Sequence, residues 1–571
     1  MANKSDRLRY GADDRPPWRV TLVLGLQHAC LALVFLIYSV AAATAIGFSP
    51  HQTTAFLTGC IVAMAIGAFL QPLRPPFGSG ALAVYIPSPL MLPAIIQAGL
   101  TGGLSLIAGM TILMGATVLS LGRLLRHLRV LFPAEVCGVV ILMLGIAIAS
   151  PALKHATGAS FGPDGQIHGL NYQHMLVAAG TLVGIMVVTV FARGAIKLFA
   201  LALGLAIGVV LSLAVGLFDA AALARLDATA WFGWPQLEFV MPTLDLSLIP
   251  LVVVLAIFNG IDTVGVMIGI QRMVDPDWKK IDTTQCAGGV QASGMADVCA
   301  GVLGGMPGGV SSAHMGLVFA TATASRIVGT CTAGVLLMAA FTPKIVAVLM
   351  MLPPPVVGAI MIYTAAHMLV AGMELVQSRM YSERRMLTIG LSILAGLTPL
   401  ILPGYFGKMS PLVAPIFESS LAISALVAIG LNLIFRLGIA QEASVMIPRQ
   451  SAGHEAAGEF LDEMGKVWGA RHDVVRRAKQ ATSEVIEIAS AINPEGEVKL
   501  EARYDELNLY VTVGYDGTVL EFPTELSKSE DGLGEDQNLF QFAGFIVRKL
   551  ADSLSQTSDG IRHRLVLRFE H

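Results

Sequence analysis

Between residues 20 and 436 the sequence is a succession of apolar runs, most of them of the length that crosses a bilayer. They fall near 20–46, 52–70, 81–98, 101–122, 131–150, 173–193 and 195–217, then near 246–270, 285–303, 308–320, 327–350, 354–374, 384–403 and 412–436. Spanning backbone finds no water to bond, so such runs must satisfy themselves as helices. The fold class predicted is therefore an α-helical polytopic membrane protein with fourteen spans in two sets of seven. An odd-numbered set inverts the next one, so the predicted halves are an inverted 7+7 repeat. Two runs are interrupted: the third, "FGSGALAVYIPSPLMLP" (77–93), and the tenth, "GGMPGGVSSAHMG" (304–316). Gly- and Pro-broken spans at matching places in inverted halves point to a substrate site at the midplane of a transporter.

Charge divides the chain. Of its 77 Asp, Glu, Lys and Arg residues, 37 lie in residues 441–571, leaving 40 for the first 440. The predicted domains are a cytoplasmic N-terminal segment (1–19), a membrane domain (20–440), a linker (441–454) and a cytoplasmic α/β domain (455–571). A net charge of -3 without a basic, aromatic-interleaved stretch excludes nucleic acid as a partner. Six cysteines lie in or beside apolar runs without paired spacing, which reads as buried free thiols and no metal site. The polar N-terminus leads into a run long enough to span, so the first helix is retained rather than cleaved. Alternate loops hold Arg74, "RLLRHLR" (123–129), Arg193 with Lys197, "RMVDPDWKK" (272–280), Arg326 and "SRMYSERR" (378–385). The opposite loops hold Lys154, Arg225, Lys408 and little else. Positive charge stays inside, which predicts that both termini face the cytoplasm; the membrane expected is the inner membrane of a bacterium.

Several stretches, in order, resemble the nucleobase–ascorbate transporters, the xanthine/uracil permease group, over roughly residues 15–440. They are "LGLQHACLAL" (24–33), "FGSGALAVYIPSP" with "GGLSLIAGM" (102–110), "LRVLFPAEVCGVVILMLGIAI" (128–148), "NGIDTVGV" (259–266) and "GVLGGMPGGVSSAHMGLVFATATASRIVG" (301–329). The resemblance implies a core domain and a gate domain, a short strand plus half-helix in spans three and ten, and a homodimer. It also implies a secondary active transporter of a purine such as xanthine or urate, of uracil, or of a related heterocycle, coupled to H+ or Na+. No enzyme and no cofactor are implied. In the tenth-span signature Gly316 and Thr321 are kept, whereas Ala313, His314 and Ala322 replace the polar group that grips the base, the Asn and the basic residue. The departure falls on substrate-contacting positions and so bears on which substrate is carried.

Asp262 lies in the middle of a predicted span, where a carboxylate is costly unless paired, solvated or protonated. By resemblance it hydrogen-bonds the base, and a carboxylate there can also carry the coupling proton; Asn259 lies one turn earlier. Gln27 and His28 match the family's first-span pair, with His28 in the binding or coupling region. On the third span Tyr85 offers a ring to stack on a planar ligand, and Ser88 offers a polar contact. Ser312, Ala313, His314 and Gly316 open the tenth half-helix, whose exposed N–H groups favour electron-rich ligand atoms. Asp297 reads as an acid near a span end.

The last 117 residues predict a helix over 458–492, two strands within 497–523, a polar loop, a helix over 538–554 and a closing strand from 562. This order resembles the histidine-kinase-type ATPase fold of anti-sigma factors. Glu484 matches its first box, but Ile488 stands where Asn supplies a magnesium ligand, and Asp516-Gly517 and "DGLGED" (531–536) are loose echoes. The domain therefore reads as degenerate, not binding ATP, and regulatory or partner-binding. An anion transporter of the same fold, or a receptor signalling through this domain, is the alternative function.

Overall fold

The computed structural model describes residues 8–128, 134–161, 167–193, 196, 199–217, 226–227, 229–275, 282–377, 380, 382–402, 404–406, 409, 414–436, 442–448, 453–492, 497–505, 508–516, 520, 522–523, 535–559 and 562–570. The chain forms two compact units. One holds residues up to 129, 139–372 and 392–426; the other holds 130–138, 373–391 and 427 onward.

The first unit is built largely from apolar helices: α1 (Trp18–Val34), α2 (Ile37–Ile46), α3 (Pro50–Leu70), α4 (Leu92–Leu128), α5 (Ala134–Thr157), α6 (Tyr172–Phe191), α7 (Ala200–Ala214), α8 (Ile249–Val274), α9 (Thr283–Val302), α10 (Ser312–Thr321), α11 (Arg326–Ala340), α12 (Pro343–Met350), α13 (Pro354–Gln377), α14 (Glu383–Ile401), α15 (Ala414–Glu418) and α16 (Ser420–Arg436), of which α5, α13, α14 and α16 extend into the second unit. Among the described residues eight helical segments are long and apolar enough to cross a membrane, or nine if the pair α11–α12 is one span. That pair is bent by 79°, so the predicted eleventh span is not continuous. The bend has a local cause: Pro343 drives Thr342 out of the helical region, to φ -116° and ψ 82°. Helix α9 falls outside the apolar set because its face is small rather than greasy. Gly294 lies against the backbone of Gly115 on α4, and close helix approach of this kind needs small residues.

The two interrupted spans meet. β1 (Tyr85–Pro87) pairs antiparallel with β4 (Gly308–Val310), in the register Tyr85↔Val310, Ile86↔Gly309 and Pro87↔Gly308. Between them in the chain, β2 (Ser160–Phe161) and β3 (Ile167–Gly169) form a second small antiparallel pair. Two further bonds extend the β1–β4 ladder, Ser88 N–H to Pro307 C=O (3.2 Å) and Ser311 N–H to Val84 C=O (3.0 Å). The strands lead into half-helices, one beginning as a single 3-10 turn at Pro89 and the other at Ser312. Helix α4 is broken at Gly103 (φ 62°, ψ -154°), where the first half-helix gives way to the next span. Residues 8–16, ahead of α1, are tied to the junction of α10 and α11. Arg9 and Tyr10 N–H groups bond to Ala322 C=O, Ala324 N–H to Tyr10 C=O and Arg326 N–H to Ala12 C=O, while Asp13 pairs with Arg326.

The second unit carries an antiparallel sheet in the order β5–β6–β7–β9–β8, with β5 Glu442–Pro448, β6 Glu497–Tyr504, β7 Asn508–Asp516, β8 Ser553–Asp559 and β9 Arg562–Glu570. Helices α17 (Gly453–Trp468), α18 (His472–Ile492) and α19 (Glu535–Leu550) pack on it. Alternate residues point into one core: Val498, Leu500 and Ala502 of β6, Val511 and Val513 of β7, and Leu565, Leu567 and Phe569 of β9. Three sequence expectations are corrected. The predicted linker 441–454 contains an edge strand, because Ala443, Val445 and Ile447 alternate inward and β5 pairs with β6 along its length. The predicted helix 458–492 is two helices, parted by the left-handed Gly469 (φ 60°). The predicted helix 538–554 ends at Leu550, and the chain turns back as β8 along β9. Gly517 and residues 531–534 lie outside the described residues, and Glu484 lies on α18.

Candidate functional site at the crossing of the two broken spans

The crossing of β1 and β4 is held by three side chains from three elements. Tyr85 Oη donates to Asp297 Oδ1 at 2.5 Å, and Gly308 N–H donates to the same oxygen at 2.8 Å. From α8, Asn259 Nδ2 donates to Gly308 C=O at 2.7 Å. The strand is thus gripped through both polar groups of Gly308 by α9 and α8, while β1 shares the α9 carboxylate. Asp297 is fully buried (0% exposed) and so are Tyr85 and Asn259 (1% each). A carboxylate held this deep is tolerable only with such donors. Two expectations change. Asp297 is not an interfacial acid but the centre of the crossing, fourteen residues into α9. Tyr85 has no free ring face for a ligand, since its ring packs in the interior and its hydroxyl is committed to Asp297. Asp297 is inconspicuous in the sequence because the small-residue composition of α9 hides how deeply that helix is buried.

His314 also differs from expectation. It is 1% exposed, and its ring stacks on that of His28, with centroids 5.4 Å apart and planes at 21°. Nε2 of His314 donates to the His28 carbonyl at 3.1 Å, which fixes the tautomer. Phe35 lies against the same ring at 6.3 Å. His314 therefore ties α10 to α1 rather than facing an open space, and His28, equally buried, is its partner.

The open surface of the region comes from other predicted residues. Ser312 is exposed, Ala313 and Gly316 are half-buried on the same half-helix, and Gln27 is half-buried on α1. Ser88 is buried, with its N–H committed to Pro307. Asp262 is exposed on α8, three residues beyond the inward-facing Asn259. One turn further along that flank Gly265 faces open space, and at Gly269 an added methyl would lie 2.5 Å from Met315 Sδ of α10. The flank of α8 carrying Asp262 thus runs beside the tenth half-helix. The structure brings Tyr85, Asn259 and Asp297 together, and separately His28 with His314. It sets Asp262 and Ser312 on exposed positions of the adjoining helices. A carboxylate in such a place is able to accept from ring N–H groups, and first-turn N–H groups of a helix are able to donate to carbonyl oxygens. Among the described residues no group of three or more His, Cys, Asp or Glu side chains converges as a metal site.

Comparison with known proteins agrees with this architecture. Residues 19–405 match the Permease family (Xan_ur_permease). The chain is 25% identical over 435 residues to the uric acid transporter UacT of Escherichia coli, covering 72% of this chain and 86% of that protein. It is 26% identical over 420 residues to the uric acid permease PucK of Bacillus subtilis, covering 73% and 95%. Among solved structures the murine Slc26a9 anion transporter in its inward-facing state aligns with a TM-score of 0.51 and 12% identity, over 76% of this chain and 71% of that one. That likeness concerns the fold alone. With more than half of its length matched, the chain belongs to the Permease family and is an integral membrane transport protein, not an enzyme.

Proposed function

We propose that this permease carries a nucleobase across the membrane, a purine such as urate or xanthine, or uracil, and couples its movement to a gradient of H+ or Na+. The observation that carries the reading is the exposed Asp262 on the α8 flank beside α10, three residues from the Asn259 that anchors β4. Adjacent N–H groups of a heterocycle match the two acceptor oxygens of a carboxylate, and the named relatives that carry uric acid support that substrate class. Asp262, Ser312, Ala313 and Gly316 are the proposed substrate contacts, with Gln27 and Ser88 bordering them. Tyr85 and His314 act behind the contact surface, on the strand crossing and on α1. Asp262 is the proposed proton carrier, with His28 as a second coupling group reached through His314.

The same proposal includes fourteen spans in an inverted 7+7 arrangement, a core bearing the strand crossing and a gate against which it moves. Both termini face the cytoplasm of a bacterial inner membrane, two copies associate, and the C-terminal domain regulates without binding ATP. The test is thermal stabilisation of purified protein by urate, xanthine and uracil, which grows as RT ln(1 + [L]/Kd). Wild-type protein should be stabilised by at least one base. Asp262→Ala should insert in the membrane, unfold at a similar temperature without ligand, and lose the ligand-induced rise. A variant that keeps the full rise rejects Asp262 as the contact, and a flat wild-type response to every base rejects the substrate class.

A further inference from the structure

The family match accounts for the membrane helices and leaves the C-terminal sheet without a role. That sheet belongs to the same compact unit as the first turn of α5, the junction of α13 with α14 and the end of α16. The joint is built at the break between α17 and α18. Met380, from the α13–α14 junction, donates its N–H to Ala470 C=O at 3.1 Å, and its side chain is buried in the core with Leu461, Trp468 and Val475. An added methyl at Gly465 would lie 2.8 Å from Met380 Sδ. Arg385, near the start of α14, spans the joint. Its Nη1 donates to Met380 C=O at 3.1 Å, and Nη2 lies 3.3 Å from Glu135 Oε1 at the start of α5. The guanidinium rests directly on Gly469, whose φ of 60° opens the corner that receives it. Neighbouring Arg384 donates to Phe435 C=O at 2.8 Å, at the end of α16.

We propose that the α17–α18 corner is a socket for Met380 and Arg385, through which the C-terminal domain sets the position of α5, α13, α14 and α16 and so controls the turnover of the permease. The socket is a mechanical coupling: Met380 is the plug, and Arg385 clamps it to both Glu135 and Gly469. A domain fixed to several helix ends moves with them, and any change in its own state changes how freely they move.

The test is a double-mutant cycle in the full-length protein, with Arg385→Ala on the helix side and Gly469→Ala on the domain side. Arg385→Lys serves as the charge-retaining control. Hydrogen exchange at 383–391 and 453–475 reports on the joint, and initial uptake of urate, xanthine or uracil reports on turnover. The uptake arm rests on the nucleobase reading; the exchange arm does not. Each single alanine variant should speed exchange on both sides of the joint and change the uptake rate by roughly threefold or more, with ligand-induced thermal stabilisation unchanged. The double variant should be no worse than Gly469→Ala alone, because removing the guanidinium makes room for the new methyl. Arg385→Lys should recover part of the wild-type rate. Exchange confined to the side that carries the mutation, strictly additive effects, or an uptake rate equal to wild type with exchange raised on both sides would each overturn the proposal.

Discussion

Among single residues, one carboxylate holds the strand crossing. Asp297 Oδ1 accepts from both Tyr85 and Gly308, so removing either donor leaves a buried acid with less compensation. Tyr85→Phe keeps the ring and deletes the hydroxyl; it should lower stability by about 1.5–3 kcal/mol, the range for hydrogen bonds to charged groups. Thermal unfolding in detergent without ligand checks this. His314→Ala removes the ring stacked on His28 and the bond to its carbonyl, and should cost about 1–3 kcal/mol. Because the ring is turned toward α1, the stabilisation that a base confers should persist in this variant, and its loss would place the ring in the contact surface after all. Of these residues, Tyr85 and His314 stand out in the sequence as an aromatic and a polar group in the interrupted spans, and His28 as a polar group within the first span. Which way each points does not, since neighbours 286 and 212 residues away decide it.

In the secondary-structure elements, strain and charge act separately. Gly103, at φ 62° and ψ -154°, lies in backbone territory that is essentially glycine's alone, and an added methyl there meets nothing. Gly103→Ala should therefore cost about 1–3 kcal/mol through the backbone alone, read as a lower unfolding temperature with no repacking around the site. In the C-terminal sheet Glu501 of β6 is bonded by Lys499 at 2.7 Å and Arg564 at 2.8 Å. The bond from Lys499 is the main reason its carboxyl is held below the ordinary value of 4.5, with the charges of Lys499 and Arg564 adding to it against partial desolvation. A lowered carboxylate stabilises the fold above its ordinary value and loses that contribution as pH falls through its folded value. Glu501→Gln should accordingly weaken exchange protection of β6 and β7 near neutral pH, and differ little from wild type in acid below the folded value. The effect should be small, because the pair is partly solvated. The edge strand β5 is not legible without its partner: "EASVMIP" alternates, but seven residues beside a membrane span read equally as a connection.

For the molecule as a whole, an even number of spans puts the two ends of the chain on one side of the membrane. Reporter fusions at the N-terminus and after residue 571 should both respond from the cytoplasmic face, and opposite responses would overturn the fourteen-span reading. Among the described residues eight helical segments, or nine with the bent pair as one, pass on length and composition, and the helices that do not pass have identifiable reasons. α9 is small-sided, α10 is shortened by its strand, and α7 and α16 are short apolar helices.

Local composition alone establishes that most of this chain lies in a membrane, that two of its apolar runs are broken by Gly and Pro, and that a charged domain follows. The bilayer penalises unpaired backbone and charge wherever they fall, so each of these features is written in a single stretch of residues. The pairing of the two breaks as strands, the place of Asp297 rather than His314 at their centre, and the plugging of the C-terminal domain by Met380 emerge only in three dimensions. Those outcomes depend on which distant groups can satisfy a buried donor, acceptor or apolar side chain, and no window of sequence contains both partners.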